Sequence, residues 1–161
     1  MNLSLQPITA ANRKEALTLK TALGQETYVE SVEQCLKEAD ASSCWRPVAI
    51  YDDGLLIGFA MYGFFPEYLP SGRVWMDRLL IDQRYQHKGY GKEAMRLLID
   101  RLQTEYHCRR IYLSIIPGNT PAASLYTHYG FRFNGEKGCL SRRCSGSRSG
   151  SRGRPPGWCR G

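Results

Sequence analysis

Residues 86–91 read Gln86-His87-Lys88-Gly89-Tyr90-Gly91, and they lie between two segments of different periodicity. Upstream, residues 74–81 are mostly apolar and read as a strand. Downstream, residues 91–106 place Ala94, Met95, Leu98 and Leu102 on one face of a helix. Gly89 and Gly91 let the backbone turn tightly and come close to a ligand. The first amides of a helix have no internal partner, and the helix dipole favours an anion at that end. A pyrophosphate is the natural guest, with Lys88 and Lys92 adding positive charge. The plain alternative is a glycine-rich helix start with no ligand, because short glycine motifs are weak evidence. A Rossmann fingerprint is excluded: no strand order of that kind lies behind the motif, and Ala94 belongs to the helix core. A Walker sequence is excluded because no G-K-[ST] follows.

Working outward, residues 3–8 alternate as a first strand. Residues 12–23 have near-helical apolar spacing at Ala16, Leu17, Leu19 and Leu23, and Gly24 ends the run. Ser31 and Gln34 stand at capping-box spacing before the apolar stripe of Val32, Cys35, Leu36 and Ala39. Residues 47–51 and 55–65 form a hairpin about Asp52-Asp53-Gly54. After a loop at 66–72 and the strand at 74–81 come the helix at 91–106, a buried strand at 111–116, a short helix at 121–129 and a strand starting at Phe131. The order β-α-α-β-β-β-α-β-α-β predicts an α/β (α+β) domain with one mixed central sheet flanked by helices.

The chain has 161 residues, 42% of them apolar, enough for one domain with a sizeable core. No run approaches the ~18 apolar residues of a membrane helix. Residues 1–10 lack the basic start and long apolar run of a signal peptide. A cytoplasmic protein without a membrane partner is expected. The net charge is +7, but six arginines and no other charged residue fall in 138–161, so seven minus six leaves +1 for residues 1–137. A nearly neutral body makes nucleic acid an unlikely main ligand. The six cysteines include no C-x-x-C pair, and His87, His107 and His128 form no ligand-spaced cluster, so no metal site is expected.

The residues leading from Leu79 through Ile81 to Gln86-x-x-Gly89-x-Gly91 resemble the acetyl-CoA signature of GNAT N-acetyltransferases. A second family element follows at the expected distance: Asn119, Ala122, Leu125, Tyr126, Gly130 and Phe131 match N-x-x-A-x-x-L-Y-x-x-x-G-F. The resemblance spans roughly residues 3–136. Gly58-Phe59-Ala60-Met61-Tyr62 and Trp75-Met76-Asp77-Arg78 look most like the polyamine (spermine/spermidine) members.

The resemblance implies acetyl-CoA as co-substrate. It would be held by Leu79, Leu80, Ile81, Gln86, His87, Lys88, Gly89, Tyr90, Gly91, Lys92 and Asn119. It also implies roles for two side chains. Tyr126 would be the acid beside the leaving sulfur, the alternative being an aromatic residue that packs one face of a short helix. Asp77 would be the base, working through a water; the alternatives are an outward-facing strand acid or a partner for Arg78. Glu67 is the second candidate base. A small polycationic amine would meet acids at Glu26, Glu30 and Glu33, and aromatic faces at Tyr28, Tyr62 and Tyr68. A solvated acidic helix face is the competing reading of those glutamates. The acceptor could also be another small amine or a protein N-terminus, and a non-catalytic CoA-binding module is the other class.

Family domains close with a hairpin, and a homodimer is a possible assembly. Residues 138–161 offer no alternating apolar run, so the family's last strand is expected to be missing. The predicted division is a domain at 1–137 and an Arg/Ser/Gly-rich tail at 138–161, disordered, artificial or frame-altered, and dispensable. A natural arm that binds nucleic acid is the alternative for this tail.

Overall fold

A computed structural model describes residues 1–144. In chain order the elements are β1 (Leu3–Pro7), α1 (Arg13–Ala16), α2 (Val32–Ala41), β2 (Trp45–Asp52), β3 (Leu55–Phe65) and β4 (Arg73–Ile81). A single 3₁₀ turn (Gln83–Tyr85) leads into α3 (Tyr90–Tyr106), followed by β5 (Arg110–Ser114), α4 (Thr120–His128), β6 (Arg132–Phe133) and β7 (Cys139–Arg143). The strands form one sheet in the order β1-β2-β3-β4-β5-β7-β6. β4 and β5 are its parallel pair, and the other neighbours run antiparallel. The sheet is therefore mixed, as expected.

β3 is apolar throughout, and β2 and β4 largely so, because both sheet faces are covered. On one face Val48, Ile50, Ile57 and Val74 pack against Ala94, Leu98 and Leu102 of α3. On the other, Ala49, Phe59, Met61 and Leu80 pack against Ala16, Val32 and Leu36 of the α1–α2 region. α2 starts as its capping spacing predicts, with the Ser31 side chain accepting from the Gln34 amide at 3.2 Å.

Two features of the sheet shape the C-terminal half of β4. The β4–β5 ladder consists of Val74 opposite Ile111 and Trp75 opposite Tyr112, and stops there. Beyond that point the C-terminal half of β4 has no ladder with β5. On the other side of β4, Met61 pairs with Arg78 but Tyr62 pairs with Met76. Asp77 is thus the extra residue of a bulge, which bends the strand and re-aims its side chains.

Two expectations are corrected. Residues 12–23 are not one helix: α1 spans only Arg13–Ala16. The Thr18 hydroxyl donates back to the Glu15 carbonyl at 2.7 Å, a local competitor for helix continuation. The chain beyond is tied to the end of β4 instead, with the Lys20 amide donating to Asp82 Oδ2 at 3.0 Å and the Gln83 amide to the Lys20 carbonyl at 2.9 Å. Leu23, assigned to the apolar stripe, is 95% exposed.

The second correction concerns the missing strand. Residues 139–143 form β7, inserted between β5 and β6, with Leu140 opposite both Leu113 and Phe133. Cys139, Leu140 and Ser141 are buried. Only Cys139 and Leu140 of its five residues are apolar, and Leu140 joins the core formed with Ile111, Leu113 and Phe131. A chain stopped after Lys137 would lack this strand, so the boundary at 137/138 falls within the sheet. The reading of the tail as disordered, artificial or nucleic-acid-binding beyond residue 144 lies outside the described residues.

Candidate active site

The predicted phosphate turn has the required backbone. His87 and Gly89 both adopt left-handed φ, 61° and 87°, and Gly89 caps the start of α3. Among the described residues no backbone carbonyl accepts from the amides of residues 87–91, whereas Lys92 and Glu93 both donate to the Gly89 carbonyl. A methyl placed on Gly89 would meet only the Met1 side chain, at 3.8 Å, so the approach to those amides is open. Unpaired donors, an open approach and a helix dipole fit a pyrophosphate.

The side chains around the turn have individual tasks. Lys88 is exposed, and its ammonium donates to the Arg84 carbonyl at 3.0 Å. Lys92 is exposed, and its carbonyl accepts from the Tyr129 hydroxyl at 2.7 Å, tying α3 to the end of α4. Tyr90 turns away to donate to Asp52 Oδ2 at 2.6 Å, which leaves its backbone amide as the group available to a ligand. Gln86 donates from one amide nitrogen to the Ile81 carbonyl and to Gln25 Oε1, both at 3.0 Å. Its side chain braces the strand end and the α1–α2 loop. Asp82 is buried beneath the turn. Burial alone would raise its pKa, but hydrogen bonds from Arg84 and Lys20 overcome this and hold it below the usual aspartate value.

Leu79, Ile81, Leu125 and Tyr126 all pack on the α3 side of the sheet, so the motif around Tyr126 shares a face with the end of β4. Tyr126 rests against Phe131, ring centroids 6.2 Å apart, and the Phe131 amide donates to the Tyr126 carbonyl at 3.0 Å. Its hydroxyl bonds to nothing among the described residues, and burial pushes its pKa up. Asn119 caps α4, accepting from the Ala122 amide at 3.3 Å.

On the opposite face, Asp77 is ion-paired with Arg78. Arg78, only 13% exposed, also reaches Glu30 at 2.6 Å and Glu38 at 3.5 Å. Three carboxylates around one guanidinium leave the cluster with excess negative charge at neutral pH. Glu30 is thus part of a network with Asp77, while Glu33 sits apart, paired with Lys37 at 2.8 Å on an exposed face. Glu26 lines a cleft of about 440 Å³ between the α1–α2 loop and β4, together with Leu80 and Gln83. A larger cleft, about 770 Å³, lies among β5, β6 and β7 and contains none of the predicted site residues.

The aromatic expectations divide. Tyr28 donates to the Gly118 carbonyl at 3.3 Å, so the α1–α2 loop reaches the residue before Asn119. Tyr62 is buried in the core and donates to Glu105 at 2.9 Å, and so offers no face to a substrate. Glu67 and Tyr68 are exposed, but the Arg73 guanidinium already lies over the Tyr68 ring, 4.8 Å from its centroid. Sequence reasoning missed Gln25 and Gly118, the two anchor points of the α1–α2 loop. Their partners are 61 and 90 residues away, and no local pattern announces such contacts.

The model of the acetyltransferase (GNAT) family matches residues 11–131, and the chain belongs to that family. It is an acetyltransferase. It is 46% identical to the spermine/spermidine N(1)-acetyltransferase of Bacillus subtilis (strain 168), over 84% of this chain and 91% of that relative. Among solved structures, an aminoglycoside acetyltransferase in complex with coenzyme A superposes with a TM-score of 0.74 at 18% identity, covering 88% of this chain and 95% of that one. A GNAT acetyltransferase of Elizabethkingia anophelis with acetyl-CoA bound gives 0.62 at 14%, covering 89% and 99%. At those identities the shared property is the fold. No helix among the described residues is long and apolar enough to cross a membrane.

Proposed function

We propose that this chain transfers the acetyl group of acetyl-CoA to a primary amine of a polyamine such as spermidine or spermine. The observation that carries the acceptor assignment is the 46% identity to a spermine/spermidine acetyltransferase across nearly the whole of both chains. The carboxylate-rich cluster of Asp77, Glu30 and Glu38 around Arg78 supports it, since a polycation is drawn to excess negative charge.

Bound acetyl-CoA supplies a thioester carbonyl activated for attack by an amine. The amides of residues 87–91 hold its pyrophosphate, and the end of β4, Leu79 to Ile81, lines the reacting end. Asn119 steadies the start of α4 beside it. A polyamine nitrogen has a pKa near ~10 and arrives protonated. Asp77 receives that proton through a water. Its Oδ2 is engaged by Arg78, and no bond to its Oδ1 exists among the described residues. Tyr126 keeps its proton because burial raises its pKa, so its hydroxyl can donate to sulfur as negative charge develops there.

Thiol release from acetyl-CoA with spermidine, followed at low and raised salt, tests this reading. kcat/KM is expected to fall as salt rises, because exposed carboxylate–ammonium attraction is screened. A salt-independent kcat/KM removes electrostatic selection of the acceptor, and no release above the amine-free rate removes the catalytic reading.

A further inference from the structure

Cys108 and Cys144 bring their sulfurs to 3.5 Å from each other, although 36 residues separate them in sequence. Cys108 follows the left-handed turn at His107 that ends α3, and Cys144 follows β7. The Cys144 amide donates to the Arg109 carbonyl at 3.0 Å, which fixes the two backbones side by side. Both residues are partly exposed and neither is cross-linked.

The surroundings distinguish the two thiols. Gln103 Nε2 and Arg142 Nη1 are buried donors without a hydrogen-bond partner among the described residues. Both favour a thiolate on Cys144. The hydrogen bond shared with Cys108, then Gln103 and Arg142, draw its pKa down against the opposing effect of burial. The same bond, together with burial, pushes the Cys108 thiol up. Cys144, with the Arg142 guanidinium nearby, is therefore the better nucleophile of the pair, and Cys108 is the partner in contact with it.

We infer that Cys108 and Cys144 form a redox-modification site, a dithiol that closes to an intramolecular disulfide when the protein meets a small disulfide oxidant such as glutathione disulfide. The Cys144 thiolate attacks one sulfur of the oxidant. A mixed disulfide forms, and one glutathione leaves as its thiolate, taking a proton from solvent. Cys108 then loses its proton and attacks the Cys144 sulfur, expelling the second glutathione. The two cysteines are oxidised by two electrons, and one glutathione disulfide is reduced to two thiols. The bond closes a loop that contains β5, α4, β6 and β7. It staples the end of β7 to the turn between α3 and β5. Because Arg142 Nε also donates to the Tyr129 carbonyl at 2.7 Å, the staple steadies the strand that backs α4.

The test uses the full chain and its Cys108→Ser and Cys144→Ser variants, each reduced and then equilibrated with graded ratios of oxidised to reduced glutathione. Remaining thiols are alkylated, peptides are mapped by mass spectrometry, and thermal midpoints are recorded. In the parent chain a Cys108–Cys144 cross-link is expected, with a raised midpoint. In Cys108→Ser, Cys144 should carry glutathione as a lasting mixed disulfide, and in Cys144→Ser, Cys108 should stay unmodified. The proposal is overturned if both thiols alkylate fully at every ratio. It is also overturned if Cys144 of the parent chain holds glutathione as stably as in Cys108→Ser, or if the cross-linked form melts at the reduced form's midpoint.

Discussion

Ending the chain after Lys137 removes a strand that the sheet uses in its interior. β7 pairs with β5 over five residue positions and with β6 over two. Burial of Leu140 contributes about 2 kcal/mol. Each ladder hydrogen bond contributes about 1 kcal/mol net. Leu113 and Ile111, now fully buried, would lie beside an open edge. The sum is roughly 5 kcal/mol or more, comparable with the whole stability of an ordinary domain. The proper comparison is between chains stopped after Lys137 and after Cys144, so that only residues 138–144 differ. Urea unfolding followed by circular dichroism should show a cooperative transition in the longer chain. In the shorter chain the transition should be lost or moved to far lower urea. Equal midpoints would refute the argument and mean that β7 contributes nothing to the fold. A milder version, Leu140→Ala in the full chain, should cost about 2–4 kcal/mol.

Acetyl-CoA should raise the thermal midpoint of the parent protein, because its phosphate turn exists only in the folded state. Gly89→Asp, which sets bulk and negative charge among the free amides, should abolish that shift, and an undiminished shift would sink the pyrophosphate assignment. Tyr126→Phe should lower kcat about 10- to 100-fold with little change in acetyl-CoA KM, read by steady-state thiol release; parental turnover would make the hydroxyl structural only. Asp77→Asn should depress kcat/KM more at neutral pH than at high pH, where free amine is already present, and an equal loss at both would remove the base role. Asp82→Asn should cost about 1–3 kcal/mol at neutral pH. Because the folded Asp82 has a lowered pKa, its contribution is complete above the ordinary aspartate range and is lost as pH falls through the folded value. The gap in unfolding free energy between parent and variant should therefore close in acid, and a gap constant with pH would mean that charge is not what Asp82 provides.

Most of the fold was legible because its signals are local. The hairpin of β2 and β3, the apolar face of α3 and the capped start of α2 each declare themselves within a dozen residues. The glycine turn at the start of α3 was legible for the same reason: glycines, a strand end and a helix start are consecutive. What escaped depends on distant partners. Residues 17–23 have helical apolar spacing, but their backbone bonds to Asp82 and Gln83, more than sixty residues on. β7 escaped because its two apolar residues, Cys139 and Leu140, are adjacent and followed by Ser141 and two arginines, which gives no alternating pattern. In the site, Asp77 reads as an isolated strand acid. Its bulge and its link through Arg78 to Glu30 and Glu38 arise only when β3, β4 and α2 meet. Tyr62 shows the converse error, since an aromatic residue suited to a cation was already engaged by the core.

The central claim is that the acceptor is a polyamine, and a competition in one vessel tests it most directly. Equal concentrations of spermidine, a simple monoamine and a short peptide with a free N-terminus are mixed with limiting acetyl-CoA and the protein, and acetylated products are counted by mass spectrometry. Several weak carboxylate contacts, each about 0.5–1 kcal/mol, together favour spermidine over the singly charged amines by about tenfold or more. The prediction is that acetyl-spermidine dominates the products by at least that margin at low salt. An even distribution of acetyl groups among the three acceptors, or an excess on the peptide, would contradict it.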